Sequence, residues 1–315
     1  MDKTFKEKLE NQQYRVIGNN TAVKICTWTK KSLRDEGVCY KEKFYGIKAH
    51  RCCQMTPTLG YCPNHCIFCW RIYTKRKDEM DEFDNPDLII KECPEKQQEL
   101  LEGFYGYDKV NRKKLDEAQE PMHYAISLTG EPTMYPELAE LIKKLHEKGK
   151  TTFLVTNGLF PERIEELYEK DALPTQLYIS LDAPNEELWK KIDRSIIKNG
   201  WEKVIKNLKQ MKKLKKKTRT TIRITAIKGI NMIKPEEWAE KLNIANPEFI
   251  EVKGYMFIGD SRKRMKKENM PFHKEVKEFA EEICKNSDYN IIDEQESSRV
   301  VLLMKKDTKD RIMKF

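Results

Sequence analysis

The sequence predicts an α/β protein: a partial, open (β/α)6 barrel of the TIM kind with a cysteine-bearing extension at its N-terminus. Three observations predict it. Strand-like and helix-like segments alternate at short intervals from residue 50 onward, and repeated β-then-α units imply parallel strands joined by right-handed crossovers. The units number about six, which suits an open barrel better than a closed one of eight. Short polar stretches with Gly, Asn or Asp follow the strand-like runs, and such folds gather their chemistry at the C-terminal ends of strands.

The elements follow in order. A first strand is expected around AHRCCQMTPTL, and NPDLIIKECPEKQQELLEGF is the helix that closes that unit. MHYAISL (Met122 to Leu128) is the next strand and stops at TGEP. YPELAELIKKLHEKG carries Leu138, Leu141, Ile142 and Leu145 at helical spacing, with Gly149 as its stop. TTFLVTNG is a strand, and PERIEELYEK a helix with Pro161 in its first turn. QLYISLDAP is a strand, and NEELWKKID a helix with Asn185 as candidate N-cap. GWEKVIKNLKQMKKLKKK then leads to the strand TIRITAIKG, KPEEWAEKLNIA to EFIEVKGYMFIG, and HKEVKEFAEEICKNS closes the array. The tail YNIIDEQESSRVVLLMKK reads as two short strands around a polar turn. The expected division is 1–49 extension, 50–288 barrel and 289–315 strand tail.

Composition narrows the class. Hydrophobic residues make up 39% and charged residues 35% of 315, enough for a sizeable core under a charged surface. No stretch approaches the roughly 20 apolar residues of a membrane span, and the polar start MDKTFKEKLENQQYRV lacks a signal-peptide core. A cytoplasmic protein without a membrane is expected, acting as a monomer. The net charge is +9, with basic runs at Lys209 to Arg219 and Arg262 to Lys267. Each run alone fits a solvated face, but together they point toward nucleic acid.

Nine cysteines in such a protein suit metal ligation better than disulfides. Seven precede residue 70, and Cys62, Cys66 and Cys69 crowd into GYCPNHCIFCWRIY. A structural zinc would need a fourth ligand, and His65 lies awkwardly beside Cys66. An iron–sulfur cubane takes one thiolate per iron, so three thiolates leave one iron open to an external ligand. Farther upstream, Cys26, Cys39 and Cys52 are evenly spaced, with Cys53 beside them. Isolated buried thiols remain the alternative there. Cys93 and Cys284 fall in helical segments and read as core residues.

The spacing C-x3-C-x2-C on Cys62, Cys66 and Cys69 resembles the signature of radical S-adenosylmethionine enzymes. In that superfamily the open iron is chelated by S-adenosylmethionine, whose cleavage yields a 5′-deoxyadenosyl radical that takes hydrogen from carbon. LTGEPT is similar to the superfamily's turn after the second strand. The resemblance implies that Gly130 admits the cofactor to the backbone and that Glu131 accepts from its ammonium group. It makes Asn157, Ser180 and Asp182 candidates for the cofactor's carboxylate and ribose, and Arg223 for the carboxylate. Turn chemistry explains the first three equally well, and a structural salt bridge explains Arg223.

Over nearly the whole chain, from CTWTKKSLRDEGVCYKEKFYG through TGEPTMYPEL, LVTNG and SLDAP to EVKGYMFIGDSR, the sequence resembles the tRNA 4-demethylwyosine synthases. The resemblance implies formation of a tricyclic base from N1-methylguanosine next to the anticodon of tRNA(Phe), with pyruvate as the carbon donor. It implies two 4Fe-4S clusters, the second on Cys26, Cys39 and Cys52, and a Schiff base between pyruvate and Lys41. In isolation Lys41 reads as a surface lysine, and Lys43 and Lys48 are near enough to replace it. Eukaryotic relatives carry an added flavodoxin-like domain for which no room is expected before Cys26, so an external electron donor is expected. Trp70, Tyr73, Tyr255 and Phe257 are candidates to stack on bases. Rival readings are another radical enzyme acting on RNA or as an activase, and a non-catalytic metal-stabilised RNA-binding module.

Overall fold

The computed structural model describes residues 3–72 and 77–315. Helix α1 (Lys3–Asn11) leads to a hairpin of β1 (Arg15–Ile17) and β2 (Thr21–Val23), then to helices α2 (Thr27–Leu33) and α3 (Tyr40–Tyr45). The barrel units follow as β3 (Cys52–Thr56), α4 (Pro86–Tyr105), α5 (Arg112–Ala118), β4 (His123–Ile126), α6 (Leu138–Glu147), β5 (Thr151–Thr156) and α7 (Pro161–Glu169). They continue as β6 (Gln176–Ser180), α8 (Glu186–Asp193), α9 (Gly200–Leu214), β7 (Arg219–Ala226), α10 (Pro235–Ala245), β8 (Phe249–Gly254) and α11 (His273–Lys285). The chain closes with β9 (Asn290–Gln295) and β10 (Val300–Met304).

One sheet of ten strands runs β1-β2-β3-β4-β5-β6-β7-β8-β10-β9. Strands β3 to β8 pair in parallel, the six units that the sequence predicts. The hairpin joins antiparallel at one side and β10 at the other. The sheet has two edges, so the barrel is open.

Alternation along the strands divides two cores. One face supplies Met55, Ile126, Leu154, Ile179, Ile224 and Val252 to a core completed by Leu141 of α6, Ile164 of α7, Leu208 of α9 and Trp238 of α10. The other face, inside the curve, supplies Phe153, Tyr178 and Phe249 to a second core with Tyr40, Phe44 and Tyr45 of α3. Helix α3 therefore plugs the floor of the open barrel. The C-terminal end braces this plug: Met313 N donates to Tyr45 O at 2.9 Å, and Arg311 donates to Phe44 O at 3.1 Å.

The local signals act as expected at Asn185, whose side chain accepts from Leu188 N, and at Pro161, which opens α7. Helix α6 starts at Leu138, inside its sequence pattern, and Pro132–Met134 makes a separate 3-10 turn before it. Cys93 is buried in the core, whereas Cys284 is only partly buried at its margin. Among the described residues no helix is long and apolar enough to cross a membrane.

Candidate active site

The loop after β3 carries the compact triad, and two elements grip it. From the end of α8, Asp193 O accepts from His65 N and Ile192 O accepts from Ile67 N, both at 2.9 Å. The Asp193 carboxylate also accepts from Asn64 Nδ2 at 3.1 Å and from Cys66 Sγ at 3.4 Å. From the segment after β8, Arg264 donates to Cys69 O at 2.5 Å and to Ile67 O at 3.3 Å, and is itself held by Asp260 at 2.9 Å. Burial raises the Cys62 and Cys66 thiols, and each feels its neighbours: Glu131 and Cys69 act on Cys62, and Asp193, Cys69 and Cys62 act on Cys66.

The turn after β4 carries Gly130 and Glu131. Gly130 has φ +75, and a Cβ there would stand 2.0 Å from Thr58 O. The close approach that requires glycine is thus to the chain's own carbonyl. Glu131 is buried and ties the turn after β4 to the end of β5: Oε1 accepts from Thr133 N at 3.1 Å and from Thr156 Oγ1 at 2.6 Å, and Oε2 accepts from Asn157 N at 2.8 Å. Burial raises its pKa against these bonds. Asp182, after β6, accepts from Thr225 N at 3.4 Å. Burial pushes it up to about 6, opposed by hydrogen bonds from Thr225. Ser180 ends β6 beside it.

The dispersed triad comes from three elements. Cys26 caps α2, its Sγ accepting from Thr29 N at 3.3 Å; Cys39 precedes α3 and Cys52 opens β3. Burial, reinforced by Cys26, pushes Cys39 up to about 12. Cys52 is raised by burial and then by Cys26 and Cys39, so the fold brings the three within electrostatic reach.

Lys41 rises from the α3 plug beside them. Its Nζ lies 4.1 Å from the Tyr178 ring centroid. Burial and Arg223 push its pKa down to about 8, against Glu251, Cys39 and Cys52. Lys43 instead turns outward to Asp293 at 2.7 Å and Glu294 O at 2.6 Å. Behind Lys41 lies a polar knot that sequence reasoning missed. Glu251 is fully buried, and its Oε1 accepts from Tyr45 at 2.8 Å. Oε2 accepts from Tyr40 at 2.9 Å and from Arg223 Nε at 3.1 Å. Burial alone would raise this carboxyl, but Arg223 and Lys41 outweigh it and its pKa is lowered. The structural salt bridge is therefore present at Arg223. The missed signal was legible: IEVKG places Glu251 and Lys253 two apart in an apolar strand, hence on one face.

A single cavity of about 910 Å³ joins the two ends. All six triad cysteines line it, with Lys41, Gly130, Glu131, Asn157, Ser180, Asp182 and Arg223. Lys43, Lys48 and His65 do not appear in its wall. Among the described residues no three His, Cys, Asp or Glu side chains converge closely enough to hold one metal ion, whereas a cubane takes each thiolate on a separate iron. The wall also contains orphaned buried atoms, Asn157 Nδ2 and Asn64 Oδ1, which suit a polar ligand.

The surface candidates separate. Trp70 lines the cavity at 42% exposure, with the Arg71 guanidinium 3.6 Å from its ring centroid. Tyr255 is buried and bonded to Ser261 at 2.8 Å, Phe257 packs against the outer core, and Tyr73 lies outside the described residues. The run Lys209 to Arg219 ends α9 and opens β7, at the opposite strand ends from Cys62, Cys66 and Cys69. The run Arg262 to Lys267 passes Trp70, whose carbonyl accepts from Asp260 N at 3.0 Å.

An open parallel barrel with a three-cysteine loop after its first parallel strand defines a radical S-adenosylmethionine protein, and the model of the radical SAM superfamily matches residues 56–242. A second model, for wyosine base formation, matches residues 244–305. The S-adenosyl-L-methionine-dependent tRNA 4-demethylwyosine synthase of Pyrococcus abyssi is 47% identical over 94% of this chain and 87% of that protein. The Methanocaldococcus jannaschii enzyme is 41% identical over 96% of each. The mouse relative is 40% identical, but this chain spans only 41% of it. A solved structure of TYW1 with a lysine-pyruvate adduct bound superposes with a TM-score of 0.88 at 38% identity, covering 99% of both chains. The chain belongs to the tRNA 4-demethylwyosine synthase family of radical SAM enzymes. Membership implies S-adenosylmethionine and a 4Fe-4S cluster, and sets aside a non-catalytic RNA-binding module.

Proposed function

We propose that this enzyme builds the 4-demethylwyosine base in tRNA(Phe), from N1-methylguanosine beside the anticodon and from pyruvate. The observation that carries the reading is the single cavity lined by two cysteine triads and by Lys41. Cys62, Cys66 and Cys69 hold the cluster that binds S-adenosylmethionine, and together these cofactors supply a radical able to take hydrogen from the N1-methyl carbon. Gly130 lets the turn close on Thr58, which sets the cavity wall, and Glu131 locks the neighbouring strand ends. Glu131, Asn157, Ser180 and Asp182 supply the remaining polar contacts of the cofactor, whereas Arg223, committed to Glu251, belongs to the floor instead. Cys26, Cys39 and Cys52 hold a second 4Fe-4S cluster.

Lys41 forms the imine with pyruvate. Its lowered pKa leaves a larger share of neutral amine near neutral pH, and the amine attacks the ketone carbon with loss of water. Burial of the floor around α3 keeps bulk water from reversing that step. The Arg262 to Lys267 run and Trp70 meet the RNA at the cavity mouth. An external donor supplies electrons, and the enzyme works as a cytoplasmic monomer.

The test is an anaerobic incubation with N1-methylated tRNA(Phe), S-adenosylmethionine, pyruvate and reductant, followed by nucleoside mass. A tricyclic base that appears only with pyruvate supports the reading. Unmodified nucleoside alongside 5′-deoxyadenosine sinks it. Borohydride trapping of labelled pyruvate should place label on the peptide holding Lys41, and label elsewhere removes that assignment.

A further inference from the structure

Three cations meet one carboxylate in the cavity floor. Lys41 and Arg223 share the Tyr178 ring, at 4.1 and 5.3 Å from its centroid. Lys253 Nζ lies 5.1 Å from the ring centroid of Tyr40, the residue before Lys41. Lys253 follows Glu251 by two positions on β8, so both face the barrel interior beside Arg223 and Thr225 of β7. The carboxylate that acts on both lysines is Glu251. Its oxygens are already occupied by Tyr45, Tyr40 and Arg223.

Lys253 gives one hydrogen to Ser298 O at 2.7 Å, and an ammonium group carries three. That bond fixes Nζ at the cavity wall, where Ser298 and Lys253 both appear. A half-buried cation with unspent donors, beside a carboxylate that is committed elsewhere, is complementary to an anion. A ketone bound to Lys41 as an imine would carry an α-carboxylate one bond from the imine carbon. Arg223 is the poorer partner for it, because its Nε and Nη2 are committed to Glu251 and Tyr40.

We propose that Lys253 is a substrate-binding residue that selects 2-oxo acids over neutral ketones, by pairing with the carboxylate of the molecule held on Lys41. The proposal rests on the assignment of Lys41 made above. It gives the floor a division of labour. Lys41 makes the covalent bond, Lys253 reads the carboxylate, and the Arg223–Glu251 pair holds the plug under both.

The test compares pyruvate with hydroxyacetone, a neutral three-carbon ketone, in cyanoborohydride trapping on the cluster-loaded enzyme. In each case amine and ketone give imine and water; the reagent then adds hydride to the imine carbon and solvent protonates nitrogen. Lys253→Met should raise the pyruvate concentration for half-maximal labelling of Lys41 by about tenfold or more, the loss expected for a charged hydrogen bond. Hydroxyacetone labelling should stay within about twofold. Lys253→Arg, which keeps the charge, should retain the preference for pyruvate. An unchanged pyruvate response in Lys253→Met overturns the proposal. So does an equal loss for both ketones, with or without loss of iron, because that marks a structural lysine. Absence of any Lys41 adduct in the wild type sinks the Lys41 assignment as well, whereas a wild-type adduct with no change in Lys253→Met sinks only this one.

Discussion

Cys62, Cys66 and Cys69 come from one loop gripped by Asp193 and Arg264, whereas Cys26, Cys39 and Cys52 come from a helix cap, a helix start and a strand. The two ends of the cavity also differ in charge. Glu131, Asp182 and Asp193 act on Cys62 and Cys66, with the cation Arg71 beside Cys69; Lys41 and Lys253 act on Cys39, and Arg223 acts on Lys41. An acidic wall favours the ammonium and sulfonium groups of S-adenosylmethionine, and a basic floor favours an oxo acid. On the function proposed above, one cavity keeps two small molecules apart by sign of charge, with one triad built on a loop and the other on the whole fold.

The sharpest way to break this comparison is to remove one cysteine from each set. Cys66→Ala should abolish cleavage of S-adenosylmethionine and base formation together. Cys39→Ala should abolish base formation while leaving reductive cleavage to 5′-deoxyadenosine within a few-fold of wild type. Iron should fall in each from about eight to about four atoms per chain, one cubane of two. Equal loss of cleavage in both variants would merge the two ends into one functional unit.

The same contrast explains what the sequence could disclose. The compact triad and the six parallel units rest on local signals, residue spacing and alternation, and these survive without knowledge of tertiary structure. Strands β1 and β2 have three residues each, too short for alternation to register. Lys41 looked like a surface lysine because YKEKFYG reads as a polar helix start. Only the burial of Tyr40, Phe44 and Tyr45 against the inner face of the sheet turns it into the cavity. Arg264 was legible as a basic residue but not as a clamp, since its partners are carbonyls about two hundred positions earlier in the chain.

A smaller effect sharpens the basic end. Glu251→Gln removes the buried carboxylate that balances Arg223, with Glu251 at 0% side-chain exposure. Leaving one partner of such a pair uncompensated should cost about 3–5 kcal/mol, read as a shift in denaturant unfolding of the metal-free chain. The folded pKa of Glu251 lies below its ordinary 4.5, so the contribution is complete above 4.5. It is lost as pH falls through the folded value. The gap between wild type and variant should therefore narrow only below pH 4.5, and a gap that is already closing between pH 7 and 5 would assign it to another group.

The smallest expected effect lies at the acidic end, at Gly130→Ala. A side chain there must adopt φ +75 and place Cβ 2.0 Å from Thr58 O, so the turn has to shift. The strain should cost about 1–3 kcal/mol, less than loss of Glu251, because the turn can move into the cavity. That movement carries the neighbouring Glu131 away from Thr156 and Asn157 N, and with it the wall proposed to contact S-adenosylmethionine. The variant should bind S-adenosylmethionine more weakly by isothermal titration, yet form the borohydride-trapped pyruvate adduct on Lys41 as the wild type does. Gly103→Ala, in α4 with nothing within 4 Å of its Cβ position, provides the neutral control. Loss of the pyruvate adduct in Gly130→Ala would show that strain at the acidic end reaches the basic floor, and the two ends would then have to be treated as one mechanical unit.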